Sequence, residues 1–227
     1  MMPTTHRPCN RRFFLLPLLL ATLCLPPAVF ADTITIVSGN GTIGSADSLV
    51  QVSTDSGATY SPATIIPTDS HYSVIPGTQW LAFNSSGFGL QNTDMLFRVG
   101  FTLPAGFSSP QLSLSVFADN VATGILNGVI FGGQPFIQDA SNFTNPPSVF
   151  TTSNPGQFQV GQNYLTVYLY NFTDPSGVDF QATITFVPEP STYLLVGGTL
   201  LAGLFVLRKR PVCPLAHNAD ANPRSPH

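Results

Sequence analysis

Apolar and polar side chains alternate with a period of two through much of the chain between Asp32 and Val187. That spacing sends successive side chains to opposite faces of a strand. Met95, Phe97, Val99, Phe101 and Leu103 share one face, with Arg98, Gly100 and Thr102 opposite, and Leu112, Leu114 and Val116 alternate with Ser113 and Ser115. Leu165, Val167 and Leu169 alternate with Tyr164, Thr166, Tyr168 and Tyr170. Val178, Phe180, Ala182, Ile184 and Phe186 alternate with Asp179, Gln181, Thr183 and Thr185. Weaker strands are expected over 33–37, 49–53, 79–83, 121–126 and 129–131. The last two flank Asn127-Gly128, a pair suited to the positive φ that a two-residue hairpin requires. Gly, Pro, Asn, Ser and Asp punctuate the rest, including an expected long loop from Asn142 to Pro155, and no helical stripe appears between the two ends. The economical architecture is an all-β, antiparallel sandwich of eight or nine strands over residues 32–187, long enough for one real core.

The two ends obey other rules. Residues 1–31 place Arg7, Arg11 and Arg12 before the apolar run Phe13 to Leu25 and close on Val29-Phe30-Ala31. This is the layout of a secretory signal peptide cleaved after Ala31. The run spans 13 residues and contains Pro17, too short for a retained membrane helix. Arg11-Arg12-Phe13-Phe14-Leu15 also resembles a twin-arginine export signal; the Leu-rich core and the lack of a cofactor motif favour the ordinary route.

At the other end Val187-Pro188-Glu189-Pro190-Ser191-Thr192 precedes a nearly uncharged run from Tyr193 to Leu207, followed by Arg208-Lys209-Arg210. Pro188 and Pro190 lack amide hydrogens and stiffen the backbone, ending the last strand and presenting Glu189 in an extended segment. As a helix, residues 191–207 reach about 25 Å, a short span of a bilayer, with the basic cluster held on the cytoplasmic side. The whole of 188–210 resembles a PEP-CTERM sorting signal of exported Gram-negative bacterial proteins. That resemblance implies recognition and cleavage near Pro188-Glu189-Pro190 by an exosortase, a membrane-embedded cysteine transpeptidase. Residues 211–227, with four prolines, read as a disordered cytoplasmic tail.

Charge then narrows the function. Only 8% of residues are charged, against roughly 25% in an average soluble domain. Between Asp32 and Val187 stand nine Asp and one cation, Arg98, giving a formal charge of −8. A nucleic-acid partner, which needs clustered cations, is excluded. The same stretch has no Cys, Lys or Glu, which removes disulfides and thiolate chemistry. Gly39-Asn40-Gly41-Thr42-Ile43-Gly44 fits a dinucleotide fingerprint in letters alone, since no helix follows, and reads as a turn. His71, the single histidine of the stretch, has no G-x-S-x-G elbow to serve and reads as a loop residue. Asn171, Asp174, Gly177 and Asp179 form an oxygen-rich turn of the kind calcium uses, and more often of the kind that is simply a turn. No cofactor and no catalytic residue is indicated.

From Gln79 to Phe186 the strand and turn positions are similar to those of galactose-binding-like jelly rolls: Trp80, Phe101-Thr102-Leu103-Pro104, Ala118-Asp119-Asn120, Leu126-Asn127-Gly128, Gly161-Gln162-Asn163 and Gly177-Val178. The resemblance implies fold more than ligand. Candidate glycan-binding residues are Tyr72, Trp80, Tyr168 and Tyr170, as rings for stacking on sugar, and Asp119 and Asn120, as acceptors for hydroxyls. Each has a packing or turn role as its alternative. The leading expectation is a noncatalytic exported protein delivered to the cell surface or extracellular polysaccharide matrix, with a neutral glycan as ligand. A secreted hydrolase using an Asp pair and an inert structural component are the competing readings. N-terminal sequencing of exported material should find Asp32 first; a retained Met1 or Met2 would instead make the leader an anchor.

Overall fold

The computed structural model describes residues 30–138 and 140–188. The alternating runs form strands whose apolar faces close on one another: β5 (Thr93–Leu103), β6 (Ser108–Asp119), β10 (Gly161–Asn171) and β11 (Gly177–Val187) are the four longest. Around them lie β1 (Asp32–Val37), β2 (Ala46–Ser53), β3 (Ser61–Ile65), β4 (Leu81–Ala82), β7 (Val121–Leu126), β8 (Val129–Gly133) and β9 (Ser148–Thr152). Every pairing is antiparallel, in the order β8-β7-β10-β5-β2-β3-β4-β11-β6-β9, with β1 added alongside β11. The path curls over on itself, so β5, β7 and β10 on one side and β6 and β11 on the other feed a single core containing Phe97, Leu165 and Val167 with Leu114, Phe180 and Ile184. The all-β antiparallel expectation holds, and β7 and β8 meet at Asn127 (φ 49°) and Gly128 (φ 83°) as the hairpin signal requires.

Among the described residues the strands number eleven, rather than the eight or nine expected. β9 lies inside the stretch 142–155 expected to be loop, because an edge strand of five residues turns only Phe150 inward and leaves no alternation to read. β3 was hidden in the same way: Ser61-Pro62-Ala63-Thr64-Ile65 buries only Ala63 and Ile65. The expected strand 79–83 shortens to Leu81–Ala82, since Gln79 and Trp80 direct their backbone groups to Ser38 and Ile66.

The glycine loop between β1 and β2 shows why it presents nothing to a phosphate. Gly39 and Asn40 both donate their amides to Asp47 Oδ2 at 2.8 Å, and Leu49 and Val50 donate to Asp47 Oδ1 at 2.7 and 2.8 Å. The cradle already holds an internal anion. At Gly39, φ is +78° and a Cβ would sit 2.3 Å from that of Gln79, so both conformation and space demand glycine.

The ends of the domain are neighbours: Asp32 opens β1 opposite Phe186, next to the last residue of β11. The expected new N-terminus and the start of the Pro188-Glu189-Pro190 segment therefore leave the sandwich side by side. The expected signal peptide through residue 29, Glu189, Pro190, the membrane helix, Arg208, Lys209, Arg210 and the tail lie outside the described residues. Among the described residues no helix is long and apolar enough to cross a membrane.

Asp47→Ala strips four amides of their acceptor and should lower unfolding free energy by about 3 kcal/mol or more. Asp174→Ala, in a solvent-facing turn, should cost under about 1 kcal/mol. Urea denaturation of both checks this, and equal losses would contradict the role given to Asp47.

Candidate functional site

The candidate residues separate into two groups. Tyr72, Trp80, Asp119 and Asn120 meet in one, where Trp80, Asp119 and Asn120 are buried and Tyr72 is half-buried. Trp80 is 0% exposed, stacks on Tyr72 with ring centroids 4.2 Å apart, and donates Nε1–H to the Ser73 carbonyl at 2.9 Å. Tyr72 donates its hydroxyl hydrogen to Asp119 Oδ2 at 2.5 Å, and Asn120 Nδ2 donates to Asp119 Oδ1 at 2.7 Å. Asn120 in turn receives Asn142 Nδ2–H on its carbonyl and the Phe172 amide on Oδ1. Phe117 and Phe143 complete the packing. The arrangement pins the 66–80 loop and the 142–143 loop to the end of β6. Trp80 thus has no ring face open to a sugar, because a lone Trp of this size is worth most inside. Burial pushes the Asp119 carboxyl up to about 6, with Asp69 adding to the rise and the Tyr72 hydrogen bond opposing it. Burial likewise pushes the Tyr72 hydroxyl up, with Asp119 second.

Tyr168 and Tyr170 belong to the other group, on the outer face of the β2-β5-β10-β7 sheet. Their run begins at Tyr164, and the register sets Tyr164, Thr166, Tyr168 and Tyr170 opposite Gly100, Arg98, Leu96 and Asp94 of β5. Leu165, Val167 and Leu169 between them are wholly buried, which holds the tyrosines outward. At one end of the run Tyr170 packs in a tripod with Phe136 and Phe172, centroids 4.7 to 4.8 Å apart, and Phe136 is 64% exposed. At the other end the Arg98 guanidinium carbon lies 3.5 Å from the Tyr60 ring centroid and 4.9 Å from that of Tyr164. These side chains, with Leu96, Ile125 and Thr166, line a shallow cavity of about 340 Å³. From Tyr164 to Tyr170 the face runs about 20 Å along the strand.

Sequence reasoning passed over three members of this face. Tyr164 stood in the alternating run on the same side as Tyr168 and Tyr170, so the signal was present. Arg98 stands out in the sequence only as the domain's lone cation. Tyr60 sits in the turn before β3, where no periodicity points to it.

The oxygen-rich turn does not converge. Asp174 accepts from the Gly89 amide and Gln91 Nε2, Asn171 Nδ2 donates to the Leu90 carbonyl, and Asp179 faces the interior, accepting from Ser38 Oγ and the Ile75 amide. Among the described residues no group of three or more His, Cys, Asp or Glu could hold a metal ion. His71 lies in a turn, its Nδ1 2.8 Å from Asp69. A second cavity, about 480 Å³ over the outer faces of β6, β9 and β11, is lined by Ser, Thr and Gln with Leu112 and has no aromatic ring.

Residues 186–210 match the PEP-CTERM protein-sorting motif, and the chain carries that motif at its C-terminal side. No curated protein matches the sequence. Solved structures that overlap part of the chain include an FMN-binding beta-glucuronidase from Facaelibacterium prausnitzii L2-6, at 16% identity and TM-score 0.37 over 68% of this chain and 23% of that one. A family 35 carbohydrate binding module from Clostridium thermocellum overlaps at 11% identity and TM-score 0.37, over 66% of this chain and 97% of the module. The xylan-binding module CBM15 does so at 11% and 0.33, over 70% and 100%. The chain spans about a quarter of the length of the glucuronidase. At these scores the overlaps bear on neither the family nor the ligand of this chain.

The raised carboxyl of Asp119 sets a pH dependence. Its folded value lies above the ordinary 3.8, so the folded state holds the proton more tightly. Stability should therefore fall as pH rises from about 4 to about 6, by up to roughly 3 kcal/mol for this group. Asp179, also raised by burial, acts in the same sense. Asp119→Asn should flatten the profile in that window, as read by urea midpoints at stepped pH; parallel profiles for variant and wild type would refute it.

Proposed function

We propose that this protein is an exported, noncatalytic glycan-binding protein of the Gram-negative cell surface or extracellular polysaccharide matrix. Its signal peptide is removed after Ala31. Exosortase then processes the precursor near Pro188-Glu189-Pro190 while residues 191–207 hold it in the inner membrane, with Arg208, Lys209 and Arg210 on the cytoplasmic side. The sorting motif at 186–210 supports this route. The adjacency of Asp32 and Phe186 is in keeping with it, since both expected cleavage points then lie at one edge of the sandwich.

The jelly-roll-like sandwich is read as the part that meets the matrix. One observation carries the glycan reading: of the five tyrosines between Asp32 and Val187, four, Tyr60, Tyr164, Tyr168 and Tyr170, share one outer sheet face. Tyrosine rings on a strand face offer flat apolar surface with a hydroxyl at the rim, which suits the apolar face and hydroxyl edge of a pyranose. The scarcity of charge and abundance of Ser, Thr, Asn and Gln suit a hydrated, largely neutral chain. Tyr72, Asp119 and Asn120 act beside this face as the clasp that fixes the loops, with Trp80 as its buried floor.

A Tyr164→Ala, Tyr168→Ala double variant should lose about thirtyfold or more in retention on matrix-polysaccharide affinity gels, at about 1–3 kcal/mol per lost stacking ring, the range seen for ring stacking on bases. The outward positions should leave the melting temperature within a few degrees of wild type. Unchanged retention, or no retention of wild type on any matrix glycan, would leave the inert structural reading in place.

A further inference from the structure

Arg98 is the one cation among nine Asp in the exported domain, and it stands on the face just described. Among the described residues no carboxylate lies within ion-pair distance of it. A surface arginine in an acidic domain ordinarily finds such a partner. Asp94, the nearest on its own strand face, is four residues away along β5, about 13 Å and beyond the Debye length at ordinary salt. Instead Tyr60 and Tyr164 hold the guanidinium over their rings, at 3.5 and 4.9 Å. Nη2 donates to Gln51 Oε1 at 3.1 Å, across the β2–β5 pairing. Nε is buried without a partner. Rings and glutamine together fix the side chain in place while Nη1 has no acceptor among the described residues. The group lines the 340 Å³ cavity with Thr166 beside it. A fixed guanidinium with free N–H donors, flanked by rings, is built to accept a planar anion.

Resting on the glycan reading of the same face, we infer that Arg98 selects a carboxylated sugar: the cavity seats one uronic acid unit of an otherwise neutral polysaccharide, its carboxylate on the Arg98 Nη atoms and its ring against Tyr164. The domain's charge of −8 decides how dense those acids are. One arginine against nine aspartates repels a polyanion at long range. A chain with isolated acids spaced by neutral sugars brings a single carboxylate to the single cation and keeps the rest of the field unopposed. Polyuronate is therefore disfavoured and sparse uronate favoured.

The test uses the mature exported protein and affinity electrophoresis in gels containing gellan, in which glucuronic acid recurs between neutral sugars, carboxyl-reduced gellan, and polygalacturonate. Wild type should be retarded about tenfold more strongly by gellan than by its reduced form, the size of one charge-assisted contact. Polygalacturonate at low salt should retard it less than gellan. Arg98→Gln should bring gellan down to the level of reduced gellan, Arg98→Lys should recover part of the difference, and Tyr164→Ala should weaken both polymers. Thermal melts establish that each variant is folded; if Arg98→Gln is not, Arg98→Lys and the wild-type comparison of the two gellans carry the test. Equal retardation by gellan and reduced gellan, or an equal loss on both in Arg98→Gln, overturns the role of Arg98 while glycan binding stands. Stronger retardation by polygalacturonate overturns the sparse-acid assignment. No retardation by any of the three, or by neutral matrix glycans, overturns the glycan reading itself.

Discussion

The β5–β10 ladder is the constraint on which the rest turns. It runs without a register shift from Gly161 opposite Leu103 to Asn171 opposite Thr93. Because side chains alternate, this one register settles two surfaces together. Inward it stacks Met95, Phe97, Val99, Leu165, Val167 and Leu169 in the core; outward it sets Arg98 beside Thr166 and lines up Tyr164, Tyr168 and Tyr170. A slip of β10 by one residue against β5 would bury three tyrosine hydroxyls and expose Leu165, Val167 and Leu169, so the core guarantees the geometry of the outer face. Asn163 secures the start of β10: wholly buried, it donates to the Gln159 and Gly161 carbonyls and accepts from the Gln159 amide and Asn127 Nδ2. The Asn127-Gly128 hairpin is thereby tied to the same ladder.

Buried polar groups organise the ends of the sandwich in the way the ladder organises its middle. Asp47 gathers four amides between β1 and β2. Asp179 joins Ser38 to the Ile75 amide, and Asp119 joins Tyr72 to Asn120. In a domain without Cys, Lys or Glu, carboxylates receiving amides and hydroxyls take the place of disulfides and ion pairs in fastening loops to strands. This explains how nine aspartates sit in one small domain with one arginine: several are internal acceptors, satisfied by hydrogen bonds rather than by cations.

The long strands were legible because each buries one face completely, which writes period two into the sequence; Met95 to Leu103 and Val178 to Phe186 are the plainest cases. β3 and β9 were not, because a five-residue strand turns only one or two large side chains inward and Pro62 and Ser148 mimic loop composition. The same physics governed the candidate residues. Tyr168 and Tyr170 were read correctly as sharing a face because a strand fixes it locally. Tyr60 meets Arg98 only through the β2–β3 turn, and Tyr72 meets Asp119 across 47 positions of chain, so neither contact leaves a local trace. Trp80 illustrates the limit most sharply, since its composition suits a sugar platform and a core equally and only its neighbours decide.

We propose that the outer face of β5 and β10 is the surface that meets the matrix. Chemical-shift mapping of the isotopically labelled mature protein during titration with a gellan oligosaccharide tests it directly. The shifts should concentrate at Arg98, Tyr164, Thr166 and Tyr168, with the Tyr60 turn following and Ser113, Thr183 and Thr185 on the opposite side of the sandwich unmoved. Shifts confined to that opposite side, or to the loop carrying Tyr72, would contradict it.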